Sequence, residues 1–296
     1  MSELKLPRAT GSADEQPLRW QIGNIMVTRI VESESTSIGG FVLPEATPEV
    51  VGAIPWLAPF LDPEGRLVLS VHALLVESQG RRILVDTCVG NGKERPLPEW
   101  NMRTGPFLED LAAAGAARES IDFVLCTHLH IDHVGWNTMR VGDRWEPTFP
   151  NARYLFARTE WEHWRSEPEN FGPVVTDSVR PIVEAGLADL VETDHRLSDE
   201  IRLEPTPGHT PGHVSVRLRS AGAEAVITGD MLHHPCQIAR PEWCAAVDWD
   251  AELGETTRRS FLERSADVPV LVIGTHFATP TAGRIERDGN TYRLRY

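Results

Sequence analysis

Apolar residues fall along this chain in short runs separated by Gly, Pro and polar clusters. That is the pattern of short strands alternating with loops and modest helices. Residues 21–30 alternate well enough to open a sheet. Residues 67–77 and 81–86 flank Ser78-Gln79-Gly80 and read as a hairpin. Residues 121–126, 201–204, 225–227 and 270–273 are apolar strand segments, and 284–287 pairs with 291–295 across Asp288-Gly289-Asn290 as a terminal hairpin. Helical spacing is read at 106–115, with a glycine at its end, and at 158–166, 177–188 and 252–265. Interleaved strands and helices define an α/β protein. Residues 1–19, polar at first with Gly, Ser and Pro, predict a flexible arm, and 20–296 a single domain.

One stretch breaks the rhythm. Residues 39–63 carry Phe41, Val42, Leu43, Ile54, Trp56, Leu57, Phe60 and Leu61, interrupted by Pro44, Pro48, Pro55, Pro59 and Pro63. An apolar connection of this length predicts a cap over a functional site or a contact in a homodimer. The alternative is a satellite element of the core.

The strands matter because several of them run directly into metal-ligating residues. The segment ending at Cys126 is followed by Thr127-His128-Leu129-His130-Ile131-Asp132-His133-Val134-Gly135, an H-x-H-x-D-H pattern. On an extended backbone His128 and His130 project to one side. Asp132 and His133, being adjacent, diverge, so one segment can serve two neighbouring cations. His209 lies in the Gly/Pro turn Pro207-Gly208-His209-Thr210-Pro211-Gly212-His213, Asp230 ends the strand at 225–227, and His276 follows Gly274-Thr275. Imidazole and carboxylate together suit zinc or a similar divalent ion.

This ordered set resembles the metallo-β-lactamase superfamily, and within it the lactonase and methyl parathion hydrolase group. The resemblance covers residues from about 20 to the C-terminus. It implies a four-layer αββα sandwich and two divalent metal ions, most simply Zn2+, with Mn, Fe or Co as alternatives. His128, His130 and His209 match the ligands of the first ion. Asp132, His133 and His276 match those of the second, and Asp230 the carboxylate that bridges them. Asp86, at the end of Ile83-Leu84-Val85, matches a partner that orients a ligand histidine. The implied chemistry is attack of a metal-held hydroxide on a lactone or small hydrophobic carboxylic ester, with Asp132 handling the proton. Phosphotriester hydrolysis is the enzymatic alternative, and a metal-binding ligand sensor the non-enzymatic one. The sensor reading is disfavoured because no ligand position is lost. Where related lactonases carry a tyrosine three residues after the bridging aspartate, this chain has His233. An imidazole can donate to the same substrate oxygen, which makes His233 a catalytic candidate. Phe41, Trp56, Phe60, Trp136 and Trp243 are candidate walls of a substrate pocket. His213 is expected to hydrogen-bond rather than ligate.

Composition narrows the partners. The 296 residues hold 29 Lys and Arg against 43 Asp and Glu, a net charge of −14. That disfavours nucleic acid and anionic membrane surfaces and favours a small neutral substrate. Cys88, Cys126, Cys236 and Cys244 form no C-x-x-C pair and read as reduced thiols. Residues 1–16 hold no apolar signal core, and no run reaches membrane-span length, so a cytoplasmic protein is expected.

Overall fold

A computed structural model describes residues 17–167 and 171–296. The first half of the chain contributes β1 (Arg19–Ile22), β2 (Ile25–Ser35), β3 (Leu69–Ser78), β4 (Arg81–Val85) and β5 (Phe123–Leu125). A detached hairpin, β6 (Thr138–Val141) and β7 (Arg144–Pro147), precedes β8 (Arg153–Ala157) and β9 (Ala188–Val191). The second half supplies β10 (Ile201–Pro205), β11 (Val214–Ser220), β12 (Ala223–Ile227), β13 (Val270–Ile273), β14 (Ala282–Asp288) and β15 (Thr291–Arg295). Two sheets result, in the orders β1-β2-β3-β4-β5-β8-β9 and β10-β11-β12-β13-β14-β15. β4, β5, β8 and β9 run parallel, as do β12 and β13; the other pairings are antiparallel.

The sheets face one another because alternate residues of each strand are apolar on the inner side. Leu74, Val76, Ile83, Val85 and Leu125 of the first sheet meet Leu203, Val214, Val216, Leu218, Ala225 and Ile227 of the second. The intervening residues point outward. Ala73, Leu75, Leu84 and Val124 pack under α3 (Phe107–Ala113) and α5 (Arg180–Glu184). Val226 and Val272 pack under α7 (Ala251–Ser265) and the segment after β2. Both faces of both sheets are thereby covered, in the four layers the resemblance implies.

The β3–β4 hairpin turns on Gln79 and Gly80, with φ of +52° and +75°. Two successive positive φ values match the twist of the flanking strands. The expected helix at 177–188 is shorter than read. A π-helical turn, Val175–Val179, leads into α5, which ends before Gly186 (φ +70°), and Ala188 already opens β9. The glycine stops the helix, and the apolar residues beyond it belong to an edge strand. β8 and β11 escape the sequence pattern for different reasons. β8 is buried almost throughout, and in β11 Arg217 interrupts the apolar run from the outer face of the sheet, where it pairs with Glu204 at 2.7 Å and Glu224 at 3.2 Å.

Residues 39–63 are not structureless. They form α1 (Gly39–Val42), α2 (Pro48–Gly52) and a 3-10 turn, Pro55–Phe60, with prolines at the helix starts. Val42, Leu43, Val51, Leu57 and Phe60 are buried against the outer side of the second sheet. This is the packing of a satellite core element. Of the expected arm at 1–19, residues 1–16 lie outside the described residues, and Arg19 is already paired with Thr28.

All the ligand-bearing loops leave one edge of the sandwich, and a bulge in β2 helps fix them. The β2–β3 register slips between Val31 and Ser33, which frees Glu32 from the ladder. Its buried carboxylate accepts from Val89 N (2.9 Å), Gly90 N (3.1 Å) and Trp136 Nε1 (2.8 Å). The loop after β4 is thus clamped to the end of the histidine motif. Gly135 makes the approach possible, since a Cβ there would lie 1.8 Å from the Val89 carbonyl oxygen. Gly135→Ala is therefore expected to destabilise the fold by at least about 1–3 kcal/mol, the usual cost of overpacking. Urea unfolding of the purified variant checks this, and an unchanged midpoint would refute the clamp.

Candidate metal centre

Each ligand candidate sits just past the end of a strand, the H-x-H-x-D-H segment after β5, His209 after β10, Asp230 after β12 and His276 after β13, and so does the orienting candidate Asp86, after β4. The loops converge on one carboxylate. Asp230 Oδ2 lies 3.2 Å from His276 Nε2, 3.3 Å from His133, 3.4 Å from His233, 3.5 Å from His209 and 3.8 Å from His128. Asp132 faces the same space, with its carboxylate 3.5 Å from His276 Nε2 and 3.7 Å from His133 Nε2. His130 Nδ1 is 2.8 Å from His209 Nε2.

These contacts resolve into two overlapping donor sets that share Asp230. His128, His130 and His209 form one group; Asp132, His133 and His276 form another; and His128, His133 and Asp230 join them. The seven predicted ligands are brought together. Their protonation chemistry suits a cation. Burial, with neighbouring imidazoles, holds His128 and His130 well below their ordinary range and lowers His209 to about 3, so these rings are neutral donors. Burial also works against charge on His133 and His276. There Asp230 and Asp132 outweigh it and hold both rings up, while the same histidines keep Asp230 low against its own burial. Among the buried side-chain atoms, His128 Nε2, Asp230 Oδ1 and both ring nitrogens of His233 have no hydrogen-bond partner. Buried polar atoms left in this way are costly unless something else satisfies them. Divalent cations between the two sets would do so.

Every orienting contact is on the far side of a ring. Asp86 Oδ2 is 3.0 Å from His133 Nδ1, and Asp86 Oδ1 accepts from Thr127 N at 2.8 Å. Asp86 has φ +59°, a left-handed geometry that aspartate tolerates better than most residues. Asp248 Oδ1 is 2.8 Å from His209 Nδ1, and the Ser70 carbonyl is 2.8 Å from His276 Nδ1. The buried Glu160 carboxylate joins the two histidine loops by accepting from Leu129 N (3.2 Å) and Gly212 N (2.7 Å). His213 accepts from Asp230 N at 2.8 Å, in the hydrogen-bonding role expected of it. Sequence reading missed Asp248, Glu160, Glu32 and the Ser70 carbonyl. The first three are single acids in unremarkable surroundings, and a backbone carbonyl leaves no sequence signal at all.

The proposed pocket walls are more scattered. Phe60 is fully buried and packs edge-on to His234, Phe277 and Tyr296. Trp136 stacks on Phe107 with centroids 5.6 Å apart. Trp243 is buried, and its carbonyl accepts from Gln237, whose own side-chain oxygen accepts from His233 N at 2.7 Å. Trp56 is half-buried beside Tyr296, and Phe41 is 56% exposed on α1.

Comparison with known proteins agrees with this construction. The metallo-beta-lactamase superfamily pattern matches residues 66–276, and the chain belongs to that superfamily. It is 25% identical over 182 residues to the N-acyl homoserine lactonase of Bacillus cereus, a match covering 56% of this chain. That match spans 65% of the relative's length. Among solved structures, AidC, a dizinc quorum-quenching lactonase in complex with a product, superposes with a TM-score of 0.76 at 18% identity, over 94% of this chain and 96% of AidC. The hydrolase AbOPH of the beta lactamase superfamily gives 0.74 at 23% identity, over 94% and 96% of the two chains. Both likenesses bear on the fold. No helix among the described residues is long and apolar enough to cross a membrane.

The orienting role of Asp248 leads to a measurable effect. Asp248→Asn keeps the shape but removes the charge behind His209, and metal affinity should fall about 10–100-fold. Competition with a chromogenic chelator measures this; an affinity equal to that of the parent would deny Asp248 its role.

Proposed function

We propose that the protein is a metal-dependent hydrolase that opens a lactone or cleaves a small hydrophobic carboxylic ester. The observation that carries this reading is the ring of imidazole nitrogens around Asp230 Oδ2, with Asp132 at its open side. His128, His130 and His209 would hold one cation, Asp132, His133 and His276 a second, and Asp230 both. Cations held there would supply Lewis acidity and lower the pKa of water toward roughly 7.

The chain's own groups do the rest. The buried His128, His133 and Asp230 keep bulk water from the floor of the site. Asp132, more accessible than those three, is placed to carry a proton to the leaving oxygen. His233 is buried beside Asp230 with neither ring nitrogen engaged, so an N–H there can donate to the substrate's carbonyl oxygen. The similarity to the Bacillus cereus lactonase supports the lactone over other esters. The net charge of −14 supports a neutral substrate.

The test is a proton-release assay on metal-loaded protein, with lactones of graded acyl length beside aryl esters and aryl phosphotriesters, and Asp132→Ala as the blank. Lactone opening well above that blank is expected. A strong preference for phosphotriesters would transfer the protein to the alternative reading, and activity on none of them would defeat the proposal. His130→Ala should reduce turnover to the blank. His233→Ala should lower kcat about 10²–10³-fold, the usual cost of losing one oxyanion donor; a kcat within a factor of two of the parent would remove His233 from the mechanism.

A further inference from the structure

Solvent reaches the centre over only part of its rim. His128, His133, His209, Asp230 and His276 are buried, whereas His130 and Asp132 retain partial exposure. What borders His130 therefore borders the incoming substrate. Trp164 stands edge-on to the His130 ring with centroids 5.1 Å apart, and its Nε1 donates to Glu160 at 2.8 Å. His163 meets Trp164 at 4.8 Å, and Trp249 meets His163 at 6.3 Å. These rings make a strip that starts at a metal ligand and ends on an indole that is 54% exposed.

A single exposed apolar residue is ordinary. Trp249 is set apart by how firmly it is tied to the centre. Its N–H donates to the His209 carbonyl at 3.0 Å. The preceding residue, Asp248, contacts His209 Nδ1 at 2.8 Å and accepts from Ala245 N at 2.9 Å. The following residue, Asp250, donates its N–H to the Gly208 carbonyl at 2.9 Å and caps α7 by accepting from Leu253 N at 3.0 Å. Gly208, with φ +133°, lets α7 come so close that a Cβ there would fall 2.3 Å from Gly254 Cα. The indole is thus carried on a backbone anchored at three consecutive residues, and its exposure is not the result of a loose loop.

We infer that Trp249, with His163 and Trp164 leading to it from His130, forms a hydrophobic strip that receives a linear alkyl arm of the substrate. An open strip suits an extended chain, which gains contact with each added methylene until it passes the indole. A compact aryl group would fill only its inner end. The inference rests on the hydrolase reading above and adds the direction in which the substrate lies, across the His130 and His209 half of the centre.

The experiment compares N-acyl homoserine lactones from butanoyl to decanoyl on metal-loaded parent, Trp249→Ala and Trp249→Phe proteins, with metal content measured on each. The same acyl series of ring-opened N-acyl homoserines is titrated by calorimetry, which needs no turnover. In the parent, kcat/KM and product affinity should rise about two- to fourfold per methylene, the upper figure matching burial of a whole CH2. Trp249→Ala should flatten both slopes, and Trp249→Phe should restore most of each. A slope as steep in the fully metallated Trp249→Ala protein as in the parent overturns the strip while leaving the hydrolase reading intact. A flat slope in the parent does the same. Products that bind with the expected slope to a protein that turns over neither lactones nor aryl esters would uphold the strip and sink the hydrolase reading instead.

Discussion

The placement of Asp230 constrains everything around it. Its carboxylate is buried among the Nε2 atoms of five histidines. Such a cluster is poorly stable by itself. Neutral imidazoles leave the carboxylate undersatisfied, and protonated ones place like charges within van der Waals reach. The electrostatics reflect this compromise: His133 and His276 are held up by carboxylates, while His128, His130, His209 and His233 are held down by burial. Cations between the two donor sets would remove the conflict, because they would let every ring stay neutral and supply positive charge where the carboxylates need it.

The sandwich is built to hold that cluster at one edge. The first sheet supplies Asp86 and the H-x-H-x-D-H loop, and the second supplies His209, Asp230 and His276. Neither sheet carries a complete donor set, so packing of the two inner apolar faces assembles the centre. The loops are then fixed by acids that are not themselves donors to the cluster. Glu32 pins the loop after β4 to Trp136, and Glu160 pins the H-x-H turn to Gly212. Each is a buried carboxylate whose cost of burial is offset by several donors, which is how such groups specify geometry.

The parts legible in the sequence are those where local pattern and chemistry coincide. H-x-H-x-D-H can be read because its ligands occupy one short segment, and His209, Asp230 and His276 because each follows an apolar strand. The β3–β4 hairpin is announced by its Gln79-Gly80 turn. What could not be read depends on distance in sequence. Asp248 meets His209 from 39 residues away, and Glu32 meets Trp136 from 104. The 39–63 segment shows the same limit: its apolar content was visible, but which surface it covers depends on the second sheet, formed by residues from 201 onward. Trp136 illustrates the converse. It directly follows the histidine motif, yet it stacks on Phe107 in the outer core, because Gly135 turns the chain against Val89.

The two donor sets differ by one ligand, an imidazole in the first where the second has the Asp132 carboxylate, and they also differ in surroundings. Each contains one imidazole backed by a carboxylate, His133 by Asp86 and His209 by Asp248, and this backing raises the donor strength of both. Yet Asp86 is deeply buried and also holds Thr127, whereas Asp248 is carried on the segment that presents Trp249 at the surface. The His209 half is therefore coupled to the rim in a way the His133 half is not. The other half is oriented from inside the fold, His133 by Asp86 and His276 by the Ser70 carbonyl.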